Sequence, residues 1–281
     1  MTFMPLSDAI ATFVRDDATI ALEGFSQLIP HAAGHELIRQ GRGDLTLIRM
    51  TPDVVYDQLI GMGCARKLVF SWGGNPGVGS LHRLRDAIEN GWPGPLEIEE
   101  HSHAGMAAAW VAGASGLPFG VLRGYDNDLA PRTRVEPVLC PFTGERLAAV
   151  RAHRPDVGIV HAQRADRRGN VQMWGITGVQ KETALASKAA IVTVEEVVDE
   201  LDDRRDAVVL PAWTVDAVAV VPGGAHPSYA QDYSERDNRF YVAWAEISRD
   251  RERFRAWMKR HVLETGDAAE YHASLRAEVA A

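Results

Sequence analysis

Cysteine is nearly missing: Cys64 and Cys140 are the two in 281 residues, and they stand in no metal-ligand spacing. A disulfide scaffold and a thiolate zinc site are thereby excluded, and a reducing, cytoplasmic setting is expected. Long apolar runs are missing too. Stretches such as 215–222 fall far short of the roughly 20 residues a bilayer span needs. Basic excess is absent, with 30 lysines and arginines against 38 aspartates and glutamates and a net charge of −8. An acidic surface repels a phosphate backbone, and the basic residues form no stripe, so no nucleic-acid partner is expected. The stretch from Met1 to Asp8 has neither the basic nor the apolar region of a secretory leader, so none is expected. No glycine run has the G-x-G-x-x-G spacing and no G-K-[ST] occurs, which argues against a dinucleotide or P-loop site.

What is present is the rhythm of an α/β chain. Hydrophobic residues make up 46% and charged residues 24%, the balance of an ordinary globular protein. Short apolar runs at 19–22, 45–48, 67–71, 96–99, 156–162, 189–194, 208–210 and 215–221 read as strands. Helical patterns follow several of them. One opens at Pro30 and carries Leu37 and Ile38; others span 54–60, 80–89 and the alanine-rich 102–113. This alternation predicts parallel strands with helices on both faces. Residues 117–150 contain Pro118, Pro131, Pro137 and Pro141 and are expected as an irregular surface excursion. The charge run at Glu195, Glu196 and Glu200 to Arg205 is expected as an exposed helix. Residues 252–262 and 268–279 are expected as helices.

Glycine-rich turns at the carboxyl ends of parallel strands are where α/β proteins bind ligands. Glu23-Gly24-Phe25-Ser26-Gln27-Leu28-Ile29-Pro30 reads either as a plain turn or as an anion site at a helix N-terminus. Ser71-Trp72-Gly73-Gly74-Asn75-Pro76-Gly77-Val78-Gly79 holds four glycines in seven residues, which lets a ligand approach the backbone. In Val221-Pro222-Gly223-Gly224-Ala225-His226-Pro227-Ser228-Tyr229, His226 either meets a ligand or caps a turn. Glu99-Glu100-His101-Ser102-His103 clusters titratable groups before the alanine-rich helix, which Ser102 is placed to cap. His101 and His103 share one side of an extended segment, but no third ligand accompanies them at a recognisable spacing, so no metal is expected. His31 and His35 lie four apart without an H-E-x-x-H motif and are expected on a solvated face. Asp166-Arg167-Arg168-Gly169-Asn170 reads as a tight turn between two strands.

Six segments follow one another in an order that resembles the alpha subunit of class I coenzyme A transferases of the glutaconate type. They are Gly24-Phe25 through Pro30, the 71–79 loop, Glu99 through Met106, Ala114-Ser115-Gly116-Leu117-Pro118-Phe119, Ala165 through Asn170, and Gly223 through Ser228. The resemblance covers about residues 5–245, giving one domain over 1–245 and a helical extension over 246–281. It implies a mostly parallel seven-stranded sheet with helices on both faces. It implies a partner beta subunit, in a heterodimer or heterotetramer, with the active site between the chains. It also implies a coenzyme A thioester as substrate and no permanently bound cofactor.

In that family the beta subunit supplies a glutamate that attacks the acyl-CoA, and an acyl-glutamyl anhydride and a glutamyl-CoA thioester follow. No glutamate here stands in a matching context: Glu235 lies in the charged segment 234–237, while Glu23, Glu99 and Glu100 are the acidic residues near the loops. The chain alone is therefore expected to be inactive. It would supply half of the pocket through Gly24, Phe25, Ser26, Ser71, Gly73, Gly74, Asn75, His101, Ser102 and His103, with Ser71, Asn75 and Ser102 orienting the acyl carboxylate. Arg123, Arg132 and Arg134 read either as surface arginines or as partners for a second carboxylate. Glu23 and Ser26 replace two glycines of the family's first turn. Ala104 precedes Gly105-Met106, where steroid-ring hydrolases of this fold carry a catalytic glutamate. The alternative reading, a CoA-thioester or C–C bond hydrolase component, would rely on Glu100 or His103 to assist a water.

Overall fold

The computed structural model describes residues 1–75, 79–124, 133 and 135–279. The elements in chain order are β1 (Thr2–Phe3), α1 (Leu6–Phe13), β2 (Thr19–Glu23), α2 (His31–Arg39), β3 (Leu45–Ile48), α3 (Val54–Gly61), β4 (Ala65–Phe70), α4 (His82–Asn90), β5 (Glu97–Glu100) and α5 (His103–Ala114). Then come β6 (Phe119–Leu122), β7 (Val135–Leu139), β8 (Arg146–Arg151), β9 (Val157–Asp166), β10 (Val171–Met173), α6 (Gln180–Ala186), β11 (Ala189–Val198), β12 (Val208–Leu210) and β13 (Ala217–Val220). The chain closes with α7 (Asn238–Arg249), α8 (Arg251–Met258), a π-helical turn at Lys259–Leu263, and α9 (Ala268–Val279).

The main sheet has the order β1-β13-β11-β9-β2-β3-β4-β5, and every neighbouring pair along it is parallel. The expected seven parallel strands are those from β13 to β5. Two-residue β1 extends one edge, and β10 and β12 add antiparallel pairings beside β9. The strands read as unbroken apolar runs because both of their faces are covered. Ile20 and Leu22 pack into the core with α1 to α4 and α7 to α9, where Trp244, Phe254 and Met258 sit. The intervening Ala21 points the other way, with Ile48 and Val69, against Met106 and Trp110 of α5. The expected boundary after residue 245 falls within α7, whose Trp244 belongs to the main core.

Three expectations need correction. Glu195 and Glu196 are not on a helix: β11 runs on to Val198, paired with β9 as far as Asp166. Partnering by β9 overrides the polarity of these residues, and buried Glu195 accepts hydrogen bonds from His161 at 2.9 Å and the Gly223 amide at 2.7 Å. Part of the 117–150 excursion is regular, because β6, β8 and β7 form a small antiparallel sheet. Pro137 is tolerated there because β7 is an edge strand. Finally, His31 and His35 are buried rather than solvated, each 1% exposed. The outer side of α2 is covered by the C-terminal helices, with the His35 and Tyr271 rings 4.7 Å apart.

Candidate functional site

Strand order reverses at β2, which has β9 on one side and β3 on the other, and such switch points open a crevice at the carboxyl ends of the strands. A cavity of about 210 Å³ lies there. The turn after β2 lends it Phe25, Ser26 and Ile29; the segment after β3 lends Arg49, Thr51 and Asp53; the loop after β4 lends Trp72 and Gly74. His103 opens α5 on one wall, Arg236 comes from the segment just before α7, and Tyr241 from the first turn of that helix.

The first turn is tightly built. A Cβ on Gly24 would lie 2.6 Å from the Leu28 carbonyl oxygen, so this position takes glycine alone. Ser26 and Leu28 hold φ values of 61° and 54°, a left-handed conformation that costs energy for side chains of this kind. The surroundings impose it. Leu28 N donates to Tyr229 O at 2.8 Å, Ser228 Oγ to Ser26 O at 3.1 Å, and Gln27 Nε2 to Trp174 O at 2.7 Å. Two of the glycine-rich segments are thus fastened to each other.

Arg49 forms the charged floor. Its Nη1 and Nη2 donate to the two oxygens of Asp53 at 3.3 Å, and Nη2 also donates to Gly24 O at 3.1 Å. Both side chains are buried, and Asp53 also caps α3 by accepting from Val55 N. Burial opposes the Arg49 charge, but Asp53 and Glu23 outweigh it. Glu23 is a second buried carboxyl and accepts from Met50 N at 3.0 Å. Burial pushes its acid up to about 7 against the pull of Arg49.

That shift has a stability consequence. Between the ordinary value of 4.5 and about 7 the folded chain holds a proton on Glu23 that the unfolded chain releases. Folding stability therefore falls as pH rises through this window, by on the order of 3 kcal/mol from this group. Glu23→Gln removes the titration. Denaturation midpoints of both proteins between pH 4 and 8 should diverge, the variant gaining on the wild type as pH rises. Parallel curves would contradict the assignment.

The coenzyme A transferase family model matches residues 3–220. The chain belongs to the coenzyme A transferase family. It is 61% identical to the A-type subunit of a 3-oxoadipate CoA-transferase of Pseudomonas knackmussii, over 97% of both chains. It is 34% identical to the A-type subunit of the glutaconate CoA-transferase of Acidaminococcus fermentans, over 95% of this chain and 90% of that one. The crystal structure of the Acidaminococcus fermentans transferase superposes with a TM-score of 0.91, covering 99% of this chain and 94% of the other. A cholesterol ring-cleaving hydrolase subunit of Mycobacterium tuberculosis is 26% identical over 96% of this chain and 95% of its own.

Of the residues that the family resemblance singled out, the cavity brings together Phe25, Ser26, Gly74 and His103. Gly24 lies beneath, its carbonyl bonded to Arg49. Ser71 Oγ donates to Met50 O at 2.7 Å and ties β3 to β4. Ser102 caps α5 as expected, accepting from Gly105 N at 3.0 Å. His101 is buried against Glu99 at 2.9 Å, and His101 and Lys67 hold the Glu99 acid down to about 2. Gly73 and Asn75 line a neighbouring recess with Trp72, and the buried Asn75 amide has no partner among the described residues. His226 bonds Asp237 at 3.2 Å, within the packing of α7. Arg123 follows β6 of the small sheet, its side chain 83% exposed and paired with Glu145 at 3.0 Å; Arg132, Arg134 and the 76–78 part of the loop lie outside the described residues.

Sequence reasoning missed Arg49, Thr51, Asp53, Arg236 and Tyr241. One signal was available for the first three: polar residues immediately after an apolar strand in an α/β chain lie at the carboxyl edge. Arg236 sat in a charged segment that looked like plain surface.

Proposed function

We propose that this chain is the alpha subunit of a heteromeric CoA-transferase, and that it moves CoA between an acyl-CoA and a carboxylic acid of the 3-oxoadipate kind. The observation that carries this reading is the 61% identity to a component of a 3-oxoadipate transferase along 97% of both chains. The beta subunit supplies the nucleophilic glutamate. Among the described cavity-lining residues Asp53 is the one carboxyl, and its oxygens are engaged by Arg49 and the α3 cap. The partner glutamate attacks the thioester carbonyl and CoA thiolate leaves, giving an acyl-glutamyl anhydride. The thiolate then attacks the glutamyl carbonyl, releases the first acid and forms a glutamyl-CoA thioester. A second acid enters by the reverse sequence, so no resident cofactor is needed.

An anhydride survives only where water is kept away. Phe25 and Trp72 stand 39% and 44% exposed at the cavity, and a docked beta subunit would cover them. The site then works in the cytoplasm, where acyl-CoA substrates are found. No helix among the described residues is long and apolar enough to cross a membrane.

The test is co-expression with a candidate beta subunit, starting with the protein encoded beside this gene. The purified complex is incubated with acyl-CoA donors, with and without acceptor acids, and thioesters are identified by mass spectrometry. A new thioester is expected only with an acceptor and only from the complex. Free CoA released without an acceptor would replace this reading with the hydrolase one, for which Ala104 leaves no glutamate before Gly105-Met106.

A further inference from the structure

We propose that the hydroxyls of Ser26 and Thr51 set substrate specificity by donating hydrogen bonds to an uncharged oxygen of the acyl group, the keto oxygen of a 3-oxo acid. The proposal rests on the transferase reading for its substrate, and on the cavity itself for its geometry.

Ser26 follows β2 and Thr51 follows β3, parallel neighbours in the sheet, and both residues line the same cavity of about 210 Å³. Neither hydroxyl has a hydrogen-bond partner among the described residues. Ser26 is exposed and Thr51 half-buried, so a ligand in the cavity can reach both. The backbone that carries them is held. Ser26 O accepts from Ser228 Oγ at 3.1 Å. On either side of Thr51, Met50 O accepts from Trp72 N at 3.2 Å and Pro52 O from Gly74 N at 3.1 Å.

Ser26 is also strained where it stands. Its φ of 61° is a conformation that glycine adopts freely and a side chain resists. A hydroxyl with no partner inside the chain does nothing to offset that strain, which points to a partner outside it. The cavity sets the chemistry of that partner. Phe25, Ile29 and Trp72 give it apolar walls, and its buried charges, Arg49 and Asp53, satisfy each other. A docked beta subunit that covers Phe25 and Trp72 would shut the two hydroxyls away from water. Each then needs an acceptor. A keto oxygen offers two lone pairs, and it lacks the charge of a carboxylate, whose burial demands a cation. The size agrees: about 210 Å³ is the liquid volume of roughly seven waters, room for a short acyl chain.

The keto oxygen does not change during transfer. Its binding energy therefore acts alike on ground and transition states, and lowers KM more than it raises kcat. A site whose own hydroxyls would be left unpaired also rejects the analogue that lacks this oxygen.

The experiment uses the assembled alpha–beta complex. Titration calorimetry measures binding of 3-oxoadipate and of adipate, acids that differ in the keto oxygen alone. Transfer assays then compare the corresponding acyl-CoA donors. Wild type should prefer 3-oxoadipate. Ser26→Ala and Thr51→Val each remove one hydroxyl with little change of shape, and each should weaken 3-oxoadipate binding about 10-fold while leaving adipate unchanged. Thr51→Ser keeps the hydroxyl and should keep the affinity. In transfer, S26A and T51V should raise KM for the 3-oxo donor and spare the adipyl one. Ser26→Gly relieves the strained turn, so its urea midpoint should match or exceed that of the wild type while 3-oxoadipate binding falls. A lower midpoint would make Ser26 a structural residue and remove it from the proposal. A wild type that binds both acids alike, or variants that lose neither acid or both equally, would overturn the proposal. A complex that binds 3-oxoadipate through these hydroxyls yet transfers no CoA would sink the transferase reading and leave the assignment of Ser26 and Thr51 standing.

Discussion

Arg49→Met should lower folding stability by about 3–5 kcal/mol, the usual cost of removing one member of a buried ion pair. Methionine fills most of the volume, so the loss would come from charge and not from a cavity. Asp53 would remain 5% exposed with its cation gone, and Glu23, 2% exposed, would lose the same neighbour. The Gly24 carbonyl would lose its donor as well, and with it a restraint on the strained turn that lines the cavity. A second substitution separates charge from packing. Asn still caps a helix, so Arg49→Met with Asp53→Asn keeps the acceptor for Val55 N and removes the orphaned charge. The double variant should be more stable than R49M alone. Urea denaturation of the three proteins checks this. A single-variant loss under about 1 kcal/mol would mean that water solvates Asp53 and that Arg49 is not the floor of a dry site.

The legibility of this chain followed burial. Strands β2, β3, β4, β9, β11 and β13 announce themselves because helices cover both of their faces, and the resulting apolar runs need no knowledge of neighbours. The Ser102 cap and the Asp166–Asn170 turn were legible for a similar reason, since their bonds close within a few residues. What escaped depends on distant partners. Arg49 and Asp53 are four apart, a spacing that on sequence alone suits a surface pair; in the fold both are buried, and Arg49 reaches the Gly24 carbonyl of the turn after β2. Glu195 looks like the start of a solvated charge run until His161 of β9 is set beside it, 34 residues away in sequence. His35 looks solvated until the C-terminal helices are folded back over α2. The candidate site divides in the same way. Its turns and loops could be found from their glycine content. The two arginines that give it a charge could not, because one is buried by tertiary contacts and the other lies about 190 residues further along.

Asp57→Ala should produce a comparable loss, about 3 kcal/mol or more, for a different reason. Helix α4 begins after Leu81, which has no side chain able to cap it. Asp57 of α3 does so from outside: its Oδ1 accepts from Arg83 N at 2.8 Å and from Leu84 N at 2.9 Å. Its Oδ2 accepts from Trp244 Nε1 of α7 at 2.9 Å. One fully buried carboxyl thus joins α3, α4 and the C-terminal helices, and it favourably meets the positive end of the α4 dipole. Alanine leaves three buried donors without acceptors, each costing about 1–3 kcal/mol. Asparagine should be intermediate, because one amide oxygen can still serve the two backbone amides while its NH₂ confronts the indole N–H. Amide exchange distinguishes this cause from a general loosening. Arg83 and Leu84 should lose protection first in D57A, and the α7 amides next, with β2 and β3 keeping theirs. Because α7 also carries Tyr241 into the cavity, the same variant should lower the transfer activity of the assembled complex without altering a cavity-lining residue. If D57A kept full stability and transfer activity, the C-terminal helices would have to be held by their apolar packing alone.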